Sequence, residues 1–280
     1  MSSFAIPNLF NVKDKVVLIT GGSRGIGKAI ATAFVVNGAK VYISSRSAKD
    51  CDATASELTV LGPGSCFAIP ADMQKYSEVE RLVKELSEKE STLHVLVNNA
   101  GAAWGETIDD CPDSAWTKVL TLNTQRVFTL TQKSLPLLRA AAELGGFENG
   151  VHKDPARIIN IGSVEALSVQ SHETYAYAAS KAALHHLSRT LAGRLGWEGI
   201  TSNTIACGPF ETKMMAHTLK VASDVILEST PLHRVGKPEE VGGTAVFLAS
   251  PAAAWMTGAT IALDGGGLVG MKTFREVAKL

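Results

Sequence analysis

The chain has 280 residues, 45% hydrophobic and 19% charged, which is the balance of a globular chain able to bury a large core. Its 27 Lys+Arg offset 27 Asp+Glu, so the charge balance gives no global attraction to nucleic acid or to an anionic membrane. The four cysteines, Cys51, Cys66, Cys111 and Cys207, form no CxxC pair and no His/Cys cluster of zinc-like spacing, and read as free thiols. Residues 1–11 lack a basic region followed by an apolar run, so they do not read as a signal peptide, and no apolar stretch reaches the roughly 18 residues of a membrane span.

In chain order, residues 15–20 form a mostly apolar run bounded by a glycine pair and predict a buried strand. A helical pattern covers 26–37 and ends at Gly38. A strand follows at 41–45, then a helix at 48–61 stopped by Gly62, Pro63 and Gly64, and a strand at 66–70. The alternation goes on with a helix at 79–90, a strand at 95–98 and a long helical region at 115–142, in which Pro136 predicts a kink or break. Residues 145–155 read as a polar surface insertion. A strand at 157–161, a helix at 174–197, a strand at 201–206, a helix at 239–248 and a strand at 260–263 complete the chain. Seven apolar strands alternating with six helices imply an α/β fold: a doubly wound, seven-stranded parallel sheet with helices on both faces, in a single domain over 1–280 with an extension at 1–13 and a tail at 268–280. Ligands of such a sheet bind beyond the carboxyl ends of its strands.

The first strand runs into Thr20, Gly21, then Ser23, Arg24, Gly25, Ile26 and Gly27, a Thr-Gly-xxx-Gly-x-Gly pattern between a strand and a helix. Glycines there allow close approach to a pyrophosphate, and the helix turns free N–H groups and its positive dipole end toward the phosphates. The second strand ends in Ser45 and Arg46 with no acid. An acid there suits NAD, whereas cations suit the 2′-phosphate of NADP, so Arg46 with Arg24 points to NADPH/NADP+.

Tyr177 and Lys181 stand four apart on the 174–197 helix and so share a face. A free phenol titrates near pKa 10, and a neighbouring ammonium favours phenolate, which suits Tyr177 to proton transfer. Tyr175 faces another side and reads as packing or substrate contact. Ser163 ends the 157–161 strand at the ligand edge of the sheet, where a hydroxyl can hold a carbonyl oxygen that gains negative charge; Ser168 is a second hydroxyl further into the loop.

Together the glycine pattern, Asp72 after the third strand, Asn98 to Gly101, Asn123, Ser163, the Tyr177/Lys181 pair, Pro238-Glu-Glu and Asp264-Gly-Gly resemble the short-chain dehydrogenase/reductase family over roughly 13–267. The resemblance implies a Rossmann fold and reduction of a ketone to a secondary alcohol by hydride transfer from NADPH. Tyr177 would be the proton donor, with Ser163, Lys181 and Asn123 completing the catalytic set. It implies that Asn123 holds a relay water, that Lys181 also bonds the nicotinamide ribose, and that Asp72 and Met73 lie at the adenine. Asn99, Ala100 and Gly101 would floor the cleft, and Gly208, Phe210 and Thr212 would touch carboxamide and phosphates. Cys207 stands where the family usually has proline, so a less rigid segment is expected there.

The segments around Trp104, 161–165 and 175–185 resemble 3-oxoacyl reductases of the rhamnolipid-biosynthesis type, which points to a 3-oxoacyl thioester or a similar small ketone. Pocket walls are then expected from Trp104, Val164, Glu165, Tyr175 and 211–226; Glu165, if it faces the pocket, disfavours anionic groups. Alternatives are an enzyme like the peroxisomal 2,4-dienoyl-CoA reductases, which do not keep the full Ser-Tyr-Lys set, and a non-catalytic NADPH-binding protein. The helices at 115–142 and 174–197 match those that the family packs between subunits, implying a homotetramer or homodimer. Ala278, Lys279 and Leu280 resemble the peroxisomal address of which Ser-Lys-Leu is the standard form, so the protein is expected in the cytoplasm or the peroxisome.

Overall fold

The computed structural model describes residues 2–169, 172–213 and 215–270; the tripeptide at 278–280 lies outside them. A short helix α1 (Ile6–Leu9) precedes β1 (Val16–Thr20), α2 (Gly25–Val36), β2 (Lys40–Ser44), α3 (Ala48–Thr59), β3 (Ser65–Ala68), α4 (Tyr76–Lys89) and β4 (Val95–Asn98). Next come α5 (Asp113–Leu120), a π-helical turn (Thr121–Gln125), α6 (Arg126–Leu144), β5 (Phe147–Glu148), β6 (Val151–His152) and β7 (Ala156–Ile161). The chain continues through α7 (Tyr175–Leu195), β8 (Ile200–Cys207), α8 (Ala216–Ser229), α9 (Pro238–Ala249) and β9 (Thr260–Leu263). Among the described residues, no helix is long and apolar enough to cross a membrane.

Seven strands form one parallel sheet in the order β3-β2-β1-β4-β7-β8-β9, the doubly wound architecture expected from the sequence. Every residue of β1, β4, β7 and β8 is buried, as central parallel strands covered on both faces must be. Successive side chains of β1 alternate between the two faces. Val17 and Ile19 pack with Ile30 and Phe34 of α2 and Val241 of α9, while Val16 and Leu18 pack with Leu82, Leu130, Leu138 and Leu191 from α4, α6 and α7. The strand order reverses direction between β1 and β4, and the crevice at that switch point is where such sheets bind ligands.

Four expectations are corrected. The helical region 115–142 is two helices joined by the π-helical turn, and the irregularity lies there rather than at Pro136, which sits inside α6. Burial of Leu130, Leu137, Leu138 and Ala141 against the sheet carries α6 across the proline. The 145–155 insertion is an antiparallel hairpin, β5 with β6, turning at Asn149 (φ 54°) and Gly150 (φ 82°), the positive angles that a two-residue Asn-Gly turn adopts. The segment 211–226, read only as a pocket wall, runs into the helix α8. Its Val221 and Val225 are exposed, so its apolar residues are not confined to one buried face. Finally, Cys207 belongs to β8, pairs with Leu263 and is buried, so sheet pairing supplies the order that proline would have given.

Candidate functional site

The turn after β1 is tied to the end of β4 across the switch point. Asn99 Nδ2 donates to the carbonyls of Thr20 (2.8 Å) and Gly21 (3.2 Å), and Thr20 Oγ1 accepts from the N–H groups of Asn99 (3.1 Å) and Ala100 (3.0 Å). Gly21 has φ 66°, and a Cβ there would lie 2.7 Å from Asn99 Nδ2; a Cβ at Gly27 would lie 2.3 Å from the Gly21 carbonyl oxygen. Any larger residue would push α2 off the turn. The first turn of α2 has no side-chain cap and no acid, so its N–H groups remain available to an anion. Ile26 is half-buried against the core, and the Ser23 carbonyl accepts from Thr54 Oγ1 (3.1 Å), which fixes the turn to α3. Thr212 reaches the same turn, its Cγ2 3.3 Å from where a Gly25 Cβ would stand.

Arg24 and Arg46 are both exposed and make no ion pair among the described residues. Ser45 Oγ lies 2.9 Å from Cys51 Sγ, and the Ser45 carbonyl accepts from Ala71 N (3.0 Å), which brings Asp72 and the buried Met73 beside the end of β2. The Asp72 carboxylate accepts from Gln74 N (3.1 Å). The Gly208 N–H donates to the Leu263 carbonyl (2.9 Å), and a Cβ there would lie 2.7 Å from Asp264 Cα. The Phe210 ring is buried on Gly236, so only its main chain is left to touch a ligand. A glycine cradle, an uncapped helix start, two unpaired arginines and no acid at the end of β2 fit a dinucleotide carrying a 2′-phosphate.

The chemical groups gather at the end of β7. Lys181 is buried, and its Nζ donates to the Ile161 carbonyl (2.7 Å) and stands 5.6 Å from the Tyr177 ring centre. Burial lowers Lys181 to a pKa of about 8. Burial pushes the Tyr177 phenol above its ordinary value; a side-chain hydrogen bond with Ser163 opposes that, and the Glu165 charge adds to it. The expected lowering of Tyr177 by Lys181 is therefore not the governing effect, because desolvation of the phenol outweighs it and the ammonium is turned to Ile161. Ser163 is buried, its Oγ accepts from Glu165 N (3.2 Å), and its N–H donates to His185 Nε2 (3.3 Å). Asn123, in the π-helical turn, exchanges two hydrogen bonds with the Ala102 backbone (2.9 Å each) and donates to Ser180 Oγ (2.9 Å), which in turn donates to the Tyr177 carbonyl (2.7 Å). The Asn123 side chain is thus held by these protein groups. A Cβ on Gly101 would lie 3.2 Å from Asn123 Oδ1 and 3.8 Å from Lys181 Nζ, so the β4 end closes the cluster.

A cavity of about 630 Å³ opens at the start of α7, lined by Ile108, Trp116, Glu165, His172, Glu173, Tyr175 and Ala178 among others; Ser163, Tyr177 and Lys181 are not in its lining. Of the expected wall residues it includes Glu165 and Tyr175 but not Trp104, Val164 or the 211–226 segment. Trp104 stacks under the Lys118 ammonium instead, 5.1 Å from its ring centre. The 108–116 stretch and His172 were not foreseen; no motif marks them, because segments from distant parts of the chain build this wall.

A family model described as enoyl-(acyl carrier protein) reductase matches residues 21–267. The chain is 43% identical over 259 residues to the rhamnolipids biosynthesis 3-oxoacyl-[acyl-carrier-protein] reductase of Pseudomonas aeruginosa, covering 92% of this chain and 97% of that protein. It is 36% identical to a 3-oxoacyl-[acyl-carrier-protein] reductase of Synechocystis, covering 90% and 96%. Its fold superposes on the Pseudomonas aeruginosa RhlG/NADP active-site complex with a TM-score of 0.87 at 42% identity, over 93% of this chain and 99% of that one. Seen with the Ser163, Tyr177 and Lys181 cluster at the switch-point crevice, these likenesses have one meaning: the chain belongs to the short-chain dehydrogenase/reductase family.

Proposed function

We propose that the protein is an NADPH-dependent reductase that converts a ketone, of the 3-oxoacyl thioester kind or a small ketone like it, to a secondary alcohol. The observation that carries this reading is the convergence of Ser163, Tyr177 and Lys181 beside a glycine turn suited to a dinucleotide. When bound, NADPH supplies the hydride. Thr20 to Gly27, Ser45, Arg46, Asp72, Met73, Asn99 to Gly101, Gly208, Phe210 and Thr212 hold it, with Arg24 and Arg46 on the 2′-phosphate.

Ser163 and Tyr177 hold the substrate carbonyl oxygen through their hydroxyls. A phenol pushed up by burial is protonated at neutral pH, the form that reduction requires. Tyr177 gives its proton to the oxygen as negative charge develops there, and Lys181 lies close enough to stabilise the phenolate that results. Asn123 connects this relay to solvent. A homodimer or homotetramer rests on family resemblance alone, and the peroxisomal reading rests on the likeness of Ala278, Lys279 and Leu280 to a targeting tripeptide alone.

Purified protein should oxidise NADPH in the presence of acetoacetyl-CoA or ethyl acetoacetate. Reduction of a 2,4-dienoyl-CoA with no activity on any ketone would overturn the reading. Arg46→Asp should raise KM for NADPH at least tenfold more than KM for NADH, as expected for loss of a charge-assisted contact of about 1.5 kcal/mol or more. Equal effects on the two cofactors would remove the 2′-phosphate assignment.

A further inference from the structure

The cavity at the start of α7, which Tyr175 and Ala178 line on either side of Tyr177 in sequence and Glu165 lines two residues from Ser163, carries a charge pattern that proton transfer does not require. The Glu165 side chain is only 13% exposed. Its Oε1 lies 2.9 Å from His172 Nε2, its other oxygen accepts from the Thr174 hydroxyl, and its N–H donates to Ser163 Oγ at 3.2 Å. The carboxylate is thus fixed in place two residues from the serine that would hold the substrate oxygen. A second carboxylate, Glu173, accepts from Tyr175 Oη at 2.5 Å on the same wall.

Among the described lining residues the one cationic group set against these two acids is His172, whose pKa is raised first by its hydrogen bond to Glu165, and none is a lysine or arginine. The Glu165 charge reaches the reacting groups: it adds to the rise of Tyr177, which burial dominates, and opposes the lowering of Lys181 by burial. The rest of the wall includes the apolar Ile108, Trp116, Val169 and Ala178.

We propose that Glu165 and Glu173 make this cavity selective for uncharged ketones, namely 3-oxo esters, amides or thioesters with an apolar chain, and exclude ketones that carry an anion within a few bonds of the carbonyl. The inference rests on the ketone-reductase reading above. A substrate carboxylate here would face the nearly buried Glu165, whose repulsion is weakly screened, and the solvent-exposed Glu173, whose repulsion is screened more. Neutral substrates meet no such barrier and gain from the apolar side of the wall.

The test compares kcat/KM with NADPH for acetoacetate, acetoacetamide and N-(2-aminoethyl)acetoacetamide, which place a negative, a neutral and a positive group near the same ketone. In the unaltered enzyme acetoacetate should be the poorest by roughly tenfold or more, the size expected of like charges several ångströms apart in a partly buried site. Glu165→Gln with Glu173→Gln should narrow the ratio of acetoacetamide to acetoacetate by about tenfold, by the same argument. Equal use of the anionic and neutral ketones by the unaltered enzyme would overturn the inference even if the variants failed to fold. So would a ratio unmoved in a variant that still reduces the amide. Reduction of none of the three, nor of acetoacetyl-CoA, would instead take down the ketone-reductase reading itself.

Discussion

Tyr177, Lys181 and His185 stand at successive fourth positions of α7, and burial acts on each of them. It keeps Tyr177 protonated, makes the Lys181 ammonium easier to lose, and holds His185 neutral at a pKa of about 4, with the Lys181 and Arg189 charges adding to the last effect. A neutral His185 can accept the Ser163 N–H, and Gly162 makes room for it, because a Cβ there would come 2.1 Å from Nε2. His185 has a stability consequence. The unfolded chain takes up a proton near the ordinary histidine value of 6.5, whereas the folded chain resists until about 4. Stability is therefore full above 6.5 and is lost as pH falls toward 4, by about 3 kcal/mol for this residue. Urea unfolding across that range should show a shallower pH dependence for His185→Leu than for the unaltered protein; parallel curves would contradict the assignment. His94, also lowered chiefly by burial, contributes equally to both proteins and drops out of the difference. The Tyr177/Lys181 pair was legible from its spacing taken together with the glycine pattern upstream. The role of His185 was not, because it depends on Gly162 of another element coming against the helix.

At the scale of elements, the strands were the most legible features, since β1, β4 and β7 are buried runs that leave no room for a competing helical period. The π-helical turn that carries Asn123 was not legible: it is a change in hydrogen-bond register, with Arg126 N reaching back to Thr121 O, and no residue type signals it. The β5–β6 hairpin had its signal in Asn149-Gly150, and its attachment lies just beyond it. Asp154 accepts from Lys15 Nζ (2.6 Å) and Arg157 (3.0 Å), so one carboxylate joins the hairpin to the starts of β1 and β7. Lys15 and Arg157 are both buried, and burial lowers both, with Asp154 opposing it. Asp154→Ala leaves two buried cations without their acid and should lower stability by about 3 kcal/mol. A loss under about 0.5 kcal/mol in urea unfolding would mean that the pair behaves as a surface bridge.

For the whole molecule, the sheet order brings the ends of β1, β2, β4, β7 and β8 to one crevice, and with them residues from Thr20 to Thr212. The dinucleotide side of that crevice is legible in sequence because backbone turns impose glycine and a free helix start at fixed spacing. The substrate side is not, because Ile108 and His172 reach the cavity on loops and Trp116 from α5, a convergence that no local pattern determines. The central claim is that this crevice moves a hydride from NADPH and a proton from Tyr177 to one carbonyl. The most direct measurement pairs NADPH binding with ketone turnover in Tyr177→Phe, which keeps the ring and removes only the hydroxyl. Loss of kcat by about a hundredfold to ten-thousandfold, with NADPH affinity nearly unchanged, is the predicted result; turnover close to that of the unaltered enzyme would contradict it.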